Sequence, residues 1–325
     1  MELKQLEAFL AVLSAGSITA AARLLDRSQP AVSRLIQELE SDIGFELLHR
    51  NGPRITPTER GIRFHAEAER LVTGIGRLHE RAKAIAAEEA LPIEIVAIPA
   101  FAAGFVPKAL SRMPQQALPS RLHLRSAPAE SGIQSVLART ADLCVVSLPA
   151  EQPGLETHVL AQAPCVAAVA TSDPLARKEV VSIADLMGRS LITMANPFRL
   201  RRRVDQALEA HGIQASKVID TNAAMIALQL TACGAGVAII EPVTAYGVAL
   251  KGVEIRPLDV NIPFLWGVFS AVSRPLPETA RAFIHQFIET TASAIPGLVE
   301  HDPRRADLVT DAIFGAGAHN RAGAA

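Results

Sequence analysis

The chain has 325 residues, 49% of them hydrophobic and 20% charged, with a formal net charge of −1. Such a length suggests two or three domains with sizeable cores, and the composition is that of a folded protein and not a disordered one. No apolar run reaches the roughly 20 residues that a membrane-spanning helix needs, and the near-neutral balance excludes nucleic-acid binding by bulk positive charge.

The N-terminus carries Glu2, Lys4 and Glu7 inside an amphipathic pattern, unlike a signal peptide, so a cytoplasmic protein is expected. Helix one is predicted over Leu3–Leu13, with Leu6, Phe9, Leu10 and Leu13 on one face. Ser17 can cap a second helix whose inward face is Ile18, Ala21, Ala22 and Leu25. Asp26 and Arg27 make a turn. Ser28 caps a third helix that tolerates Pro30, because first-turn amides have no acceptor within the helix. Val32, Leu35, Ile36 and Leu39 point inward, and Gly44 ends the helix. The small Ala21 and Ala22 permit the close approach that a helix-turn-helix requires. Gln29, Pro30, Ser33 and Arg34 are left facing outward where a recognition helix meets base edges. Arg34 suits guanine and Gln29 suits adenine. Taken alone, the same pattern fits an ordinary helical hairpin with a solvated face.

His49–Thr56 reads as a two-strand wing turning at Asn51-Gly52, with Arg50 and Arg54 placed for a minor groove or a phosphate. Acidic and basic residues nearly cancel over residues 1–90, so any phosphate attraction rests on local placement of a few arginines. Thr56-Pro57-Thr58-Glu59 reads as a capping box with proline at the first helical position. The helix it opens carries Phe64, Ala68, Leu71, Ile75, Leu78, Ala82 and Ile85 at alternating spacings of four and three, a coiled-coil seam that implies dimerisation. The alternative is packing against the chain's own second domain. Gly74 and Gly76 each cost that helix roughly 0.8–1 kcal/mol relative to alanine.

After Pro92 short apolar strands alternate with amphipathic helices. Strands are predicted at 93–98, 122–125, 142–147, 165–171, 191–194, 218–221, 237–241, 254–258 and 265–271, and helices near 104–113, 131–139, 200–211, 222–233 and 278–294. This order implies α/β architecture with mainly parallel strands in two small sheets flanking a cleft. The domain boundaries that follow are 1–58 for the winged helix-turn-helix, 59–90 for the linker helix, 91–300 for the α/β domain and 301–325 for a mobile tail. Cys144, Cys165 and Cys233 lack metal or redox spacing and read as buried structural thiols. The histidines form no ligand pair, and neither metal nor cofactor is expected.

Residues 1–88 resemble the LysR-type transcriptional regulators through Ala20-Ala21-Ala22, Ser28-Gln29-Pro30-Ala31-Val32-Ser33-Arg34, Leu39-Glu40, Gly44-Phe45-Glu46-Leu47-Leu48-His49-Arg50 and Thr56-Pro57-Thr58. Leu48 stands where that family usually has an aromatic. The resemblance continues to about Pro296 and implies a winged helix-turn-helix, a dimerising linker helix and a two-subdomain effector domain like the periplasmic binding proteins. Ala97-Ile98-Pro99-Ala100-Phe101 and residues 236–245 look like the subgroup of lysine-biosynthesis and opine-responsive regulators, a hint of an amino-acid-derived effector.

In such an α/β domain a ligand lies beyond the C-terminal ends of strands, near helix N-termini. The effector site is therefore expected to draw on Pro99, Ala100, Phe101, Ala127, Pro128, Ser147, Asn196, Phe198, Arg199 and Thr221. Many relatives carry Ser or Thr where Ala100 and Ala127 stand. Phe101 and Phe198 either line the pocket or pack beneath it. Arg199 is the member of the Arg199, Arg201, Arg202 and Arg203 cluster assigned to an anion, the others reading as a solvated face. Glu241 either meets an effector's amino group or caps the end of its strand.

The function expected is a sequence-specific transcriptional regulator, without enzymatic activity, contacting DNA through Ser28, Gln29, Pro30, Ser33, Arg34, Arg50 and Arg54. Its partners would be double-stranded DNA, a small effector (amino-acid-derived or a carboxylate), a second or further copies of itself as homodimer or homotetramer, and RNA polymerase. The alternatives are an architectural DNA binder without an effector, and an enzyme built on the α/β domain, for which no nucleophile elbow, phosphate loop or paired carboxylate speaks.

Overall fold

The computed structural model describes residues 1–49, 55–87, 89, 91–119, 121–148, 152–197, 200–272 and 275–304. The chain forms two compact units, Met1–Glu88 and Glu89–Ala325.

In the first unit α1 (Leu3–Ala15) ends at Gly16, whose φ of 71° is the left-handed conformation that closes a helix. Helix α2 (Ile18–Leu24) starts where the Ser17 hydroxyl accepts the Ala20 amide, and α3 (Gln29–Ile43) where Ser28 accepts that of Ala31. Between them Asp26 takes φ 50°, a conformation that aspartate tolerates better than most side chains. Leu6, Phe9 and Val12 of α1 close over Ala21, Ala22, Val32, Leu35, Ile36 and Leu39 to make the core. Strands β1 (Leu48–His49) and β2 (Thr56–Pro57) pair antiparallel as the root of the wing. Its tip, with Arg50, Asn51-Gly52 and Arg54, lies outside the described residues.

Helix α4 runs Glu59–Ala86, roughly 42 Å at 1.5 Å per residue. Its start differs from the expected capping box. Thr58, not Thr56, is the cap: its hydroxyl accepts the Gly61 amide at 2.8 Å and donates to the Glu46 carbonyl at 2.9 Å. Pro57 is left to the strand, opposite Leu48, because Thr56 and Pro57 are already committed to the β1 pairing. Gly61 sits so close to the wing root that a Cβ there would lie 2.1 Å from the Leu47 carbonyl oxygen.

The second unit contains two sheets. Strands β3 (Ile93–Ala97), β4 (Leu122–Ser126), β5 (Leu143–Ser147), β6 (Leu155–Pro164), β12 (Pro263–Ala271) and β13 (Val299–His301) form the first lobe, in the order β13-β6-β12-β5-β3-β4. Strands β7 (Val166–Ala170), β8 (Ser190–Met194), β9 (Lys217–Thr221), β10 (Val237–Ile240) and β11 (Val253–Pro257) form the second, in the order β11-β7-β10-β8-β9. The chain thus crosses between lobes twice, at Pro164-Cys165 and at Ile262-Pro263, where the Cys165 amide donates to the Ile262 carbonyl at 2.8 Å. The expectation of mainly parallel sheets is corrected here. Only β5, β3 and β4 run parallel in the first lobe and β10, β8 and β9 in the second; the crossing strands β6, β7, β11 and β12 pair antiparallel. A strand that returns through the same hinge necessarily runs against the one that left.

Helices α5 (Pro99–Ala103), α6 (Phe105–Arg112), α7 (Ala129–Leu137) and α11 (Glu278–Ala294) belong to the first lobe, and α8 (Leu200–Ala210), α9 (Ala224–Ala232) and α10 (Pro242–Gly247) to the second. The lobes have matching corners: β3 ends at Ile98-Pro99 opening α5, and β10 ends at Glu241-Pro242 opening α10. At the far ends of these helices a Cβ on Gly104 would lie 3.1 Å from the Gly247 Cα, so glycine at both positions lets the two backbones touch. His301 ends β13 in the first sheet and is ordered, one correction to the expected tail; residues 305–325 lie outside the described residues. Cys144 and Cys165 are buried, but Cys233 is exposed, because it caps the end of α9 where the helix meets solvent.

Candidate DNA-reading face and effector cleft

On the first unit the start of α3 stands free of the core. Ser28, Gln29, Pro30 and Arg34 are exposed and Ser33 is half-buried. The Arg34 side chain, 80% exposed, lies back along its own helix and donates from Nε to Glu38 at 2.8 Å, an i, i+4 pair that lowers the Glu38 carboxyl below its ordinary range. In water such a pair is weak and readily exchanged for another anion. The opposite face of the same helix carries a contact absent from the sequence reading. The Glu40 carboxylate accepts the amides of Leu47 at 2.8 Å and Leu48 at 3.2 Å, tying α3 to the root of the wing. Leu39-Glu40 therefore acts as a pair, one residue in the core and the next holding the wing. Arg50 and Arg54 lie outside the described residues, so the face is drawn from α3 alone.

The stripe on α4 divides in two. Phe64 and Ala68 are taken up by their own unit: Phe64 packs at 5.8 Å from Phe9 and 6.1 Å from Phe45, ring to ring, and Ala68 is buried in the same core. Their assignment to a dimer seam is corrected, since the first three turns of α4 close over α1. Leu71, Ile75, Leu78, Ala82 and Ile85 are exposed, Leu78 and Ile85 by 68% and 66%.

Between the lobes of the second unit lies a cleft of about 410 Å³, within the usual range for small-molecule sites. Of the expected residues, Pro99, Ala100, Pro128, Ser147, Asn196 and Thr221 line it. Two do not. Phe101 is fully buried, its ring 5.8 Å from Trp266 and 5.6 Å from Phe287, because the third residue of α5 faces the sheet and not the cleft. Ala127 is buried in the small core beneath α7, its amide bonded to the Ala97 carbonyl. Phe198 and Arg199 lie outside the described residues.

The cleft's charged lining is Glu130, Arg203 and Glu241. Arg203 is the arginine that the sequence reading assigned to a solvated face. It enters from the first turn of α8, is half-buried, and donates to the Pro263 carbonyl at 2.5 Å, across the second crossover. Burial lowers its pKa from the ordinary value. Arg201, two residues earlier, points elsewhere and is satisfied by Asp205 and Asp220. The signal that separates the two is helix phase relative to Leu200 and Val204, the buried residues of α8. Glu241, 4% exposed, accepts a short hydrogen bond from the Thr244 hydroxyl, and burial pushes its carboxyl up to about 7.

Comparison with known proteins agrees with both halves of this description. Residues 3–62 match the family model of bacterial regulatory helix-turn-helix proteins of the lysR family, and residues 86–292 match the LysR substrate binding domain. The transcriptional activator protein LysR of Escherichia coli K12 is 28% identical over 301 residues, 92% of this chain and 95% of that protein. The octopine catabolism/uptake operon regulatory protein OccR of Rhizobium meliloti is 30% identical over 265 residues, 81% of this chain and 86% of that protein. The crystal structure of full-length CbnR complexed with its target DNA superposes with a TM-score of 0.75 at 24% identity, covering 89% of this chain and all of that one, and shares its fold. With a lysR-type helix-turn-helix at its start and a LysR effector-binding domain over most of the remainder, the chain belongs to the LysR family of DNA-binding transcriptional regulators.

Proposed function

We propose that this regulator reads its operator with Gln29, Ser33 and Arg34, positioned by Ser28 and Pro30 at the first turn of α3, while Arg50 and Arg54 hold flanking backbone. Two copies join along Leu71, Ile75, Leu78, Ala82 and Ile85, as a dimer or as half of a tetramer, and present two reading heads to successive grooves. The protein acts in the cytoplasm, and RNA polymerase is the partner through which a change in operator contact becomes a change in transcription. Its effector is a small anionic metabolite, a carboxylate or an amino-acid derivative, seated between the lobes with Arg203 as its anion contact. Differential binding to two lobe arrangements is what would shift the equilibrium between them.

The observation that carries this reading is the exposed, polar start of α3 on a firmly packed core. Selection of full-length protein against a random duplex library should enrich a pair of two-fold-related half-sites with steeply salt-dependent affinity. Arg34→Ala should cost about 1–3 kcal/mol on the enriched duplex and relax the preference at one base position, with the fold unchanged. Failure to enrich any sequence over random duplex would overturn the reading.

A further inference from the structure

Two opposite charges line the cleft from the second lobe, and neither has a counter-ion among the described residues. Arg203 spends one N–H on the Pro263 carbonyl, which bears no charge. Glu241 has the Thr244 hydroxyl. They do not pair with each other, although both border the same cavity. Withdrawing a charge from water is unfavourable unless a partner replaces the hydration, so buried ions are found paired or neutralised. Arginine cannot give up its proton. Glutamate can take one up, and burial has moved the Glu241 carboxyl in that direction.

Among the described residues, the groups around Glu241 do not supply the missing cation. Cys165 faces it from the crossover just before β7, with a thiol that burial pushes well above its ordinary value and keeps neutral. Glu130 faces the cavity from α7. Helix α5, packed against α10, brings only Pro99 to Ala103, none of which titrates. Ser147, Asn196, Thr221 and Asn222 complete the polar lining without charge.

We propose that the effector is a dipolar ion whose anionic end binds Arg203 and whose protonated amine binds Glu241, making Glu241 the residue that separates amine-bearing effectors from plain acids. This rests on the cleft being the effector site. The ligand brings both counter-ions at once, and its amine takes the place of the proton that the empty carboxyl holds. Binding below neutral pH therefore releases a proton from Glu241, and affinity falls about tenfold for each pH unit below its pKa.

Calorimetry on the full-length protein with four six-carbon probes tests this: hexanoate, 6-aminohexanoate, L-norleucine and L-lysine. At least one amine-bearing probe should bind about tenfold or more tightly than hexanoate at neutral pH, a ratio that one desolvated ion pair supplies. Glu241→Gln, which keeps an acceptor for Thr244, should erase that ratio and leave hexanoate unchanged. If the variant does not fold, proton release measured on the unaltered protein in two buffers of different ionisation enthalpy decides. Equal binding of hexanoate and the amines, absence of proton release at pH 6, or no amine binding at millimolar concentration overturns the amine subsite. The cleft itself is judged separately: aliphatic and aromatic acids that raise the melting temperature should lose that effect in Thr221→Trp, and if they do not, the site reading fails as well.

Discussion

The reading head and the effector cleft handle charge in opposite ways. At the head every described ion near the DNA face is either solvated or already tied to a neighbour: Arg34 lies on Glu38, and Glu40 holds the amides of Leu47 and Leu48. In the cleft Arg203 is half-buried and Glu241 buried, and neither has a counter-ion among the described residues. The difference follows from the partner. A duplex is a dense polyanion that displaces weak surface pairs by mass of charge, so a face built for it can rest satisfied in water. A small molecule offers one or two charges, and only a desolvated group discriminates strongly between ligands that have the matching charge and ligands that lack it.

The largest test of that contrast is the pH dependence of stability without ligand. Glu241 ionises near 4.5 in an unfolded chain and near 7 when folded. Its contribution is fully present below pH 4.5, where both states are protonated, and is lost as pH rises through 7, because only the unfolded state ionises easily in that window. The loss should amount to about 3 kcal/mol, and Glu241→Gln should remove this part of the slope in denaturant titrations between pH 4.5 and 7.5. A slope unchanged in the variant would break the comparison at its cleft end.

At the head the corresponding test is one of packing. Gly61→Ala places a methyl 2.1 Å from the Leu47 carbonyl and should destabilise the first unit by about 2–3 kcal/mol, seen as an early transition on heating. Glu40→Ala strands two amides and should cost about 2 kcal/mol, with faster hydrogen exchange at Leu47 and Leu48 as the local signature. The smallest effect is expected at Glu38→Ala. The exposed pair with Arg34 should dissolve with no measurable change in melting temperature, since surface pairs contribute little.

Much of the head was legible in the sequence because its signals are local. Ser17, Ser28 and Gly44 mark helix ends by their own chemistry, and Val32, Leu35, Ile36 and Leu39 mark a buried face by spacing alone. Thr58 escaped because two threonines stand near the junction, and only the pairing of Thr56 with His49 decides between them. The cleft was half legible. Strand ends pointed to Pro99, Pro128, Ser147, Asn196 and Thr221, but the facing of Phe101 and the choice of Arg203 depend on how short helices are rotated against a sheet. Strand β6 was missed because Glu156, Thr157, His158 and Gln162 interrupt its apolar pattern, and a strand at a hinge is not buried evenly on either face.

The double passage of the chain between the lobes bears on how the protein is made. A nascent chain that has reached Leu258 already contains every strand of the second sheet, while the first still lacks β12, the strand that joins β5 to β6. The lobe begun earlier in synthesis is therefore completed later, and a premature stop near the C-terminus would damage the N-terminal half of the effector domain while leaving the inserted half with its full set of hydrogen-bonded neighbours.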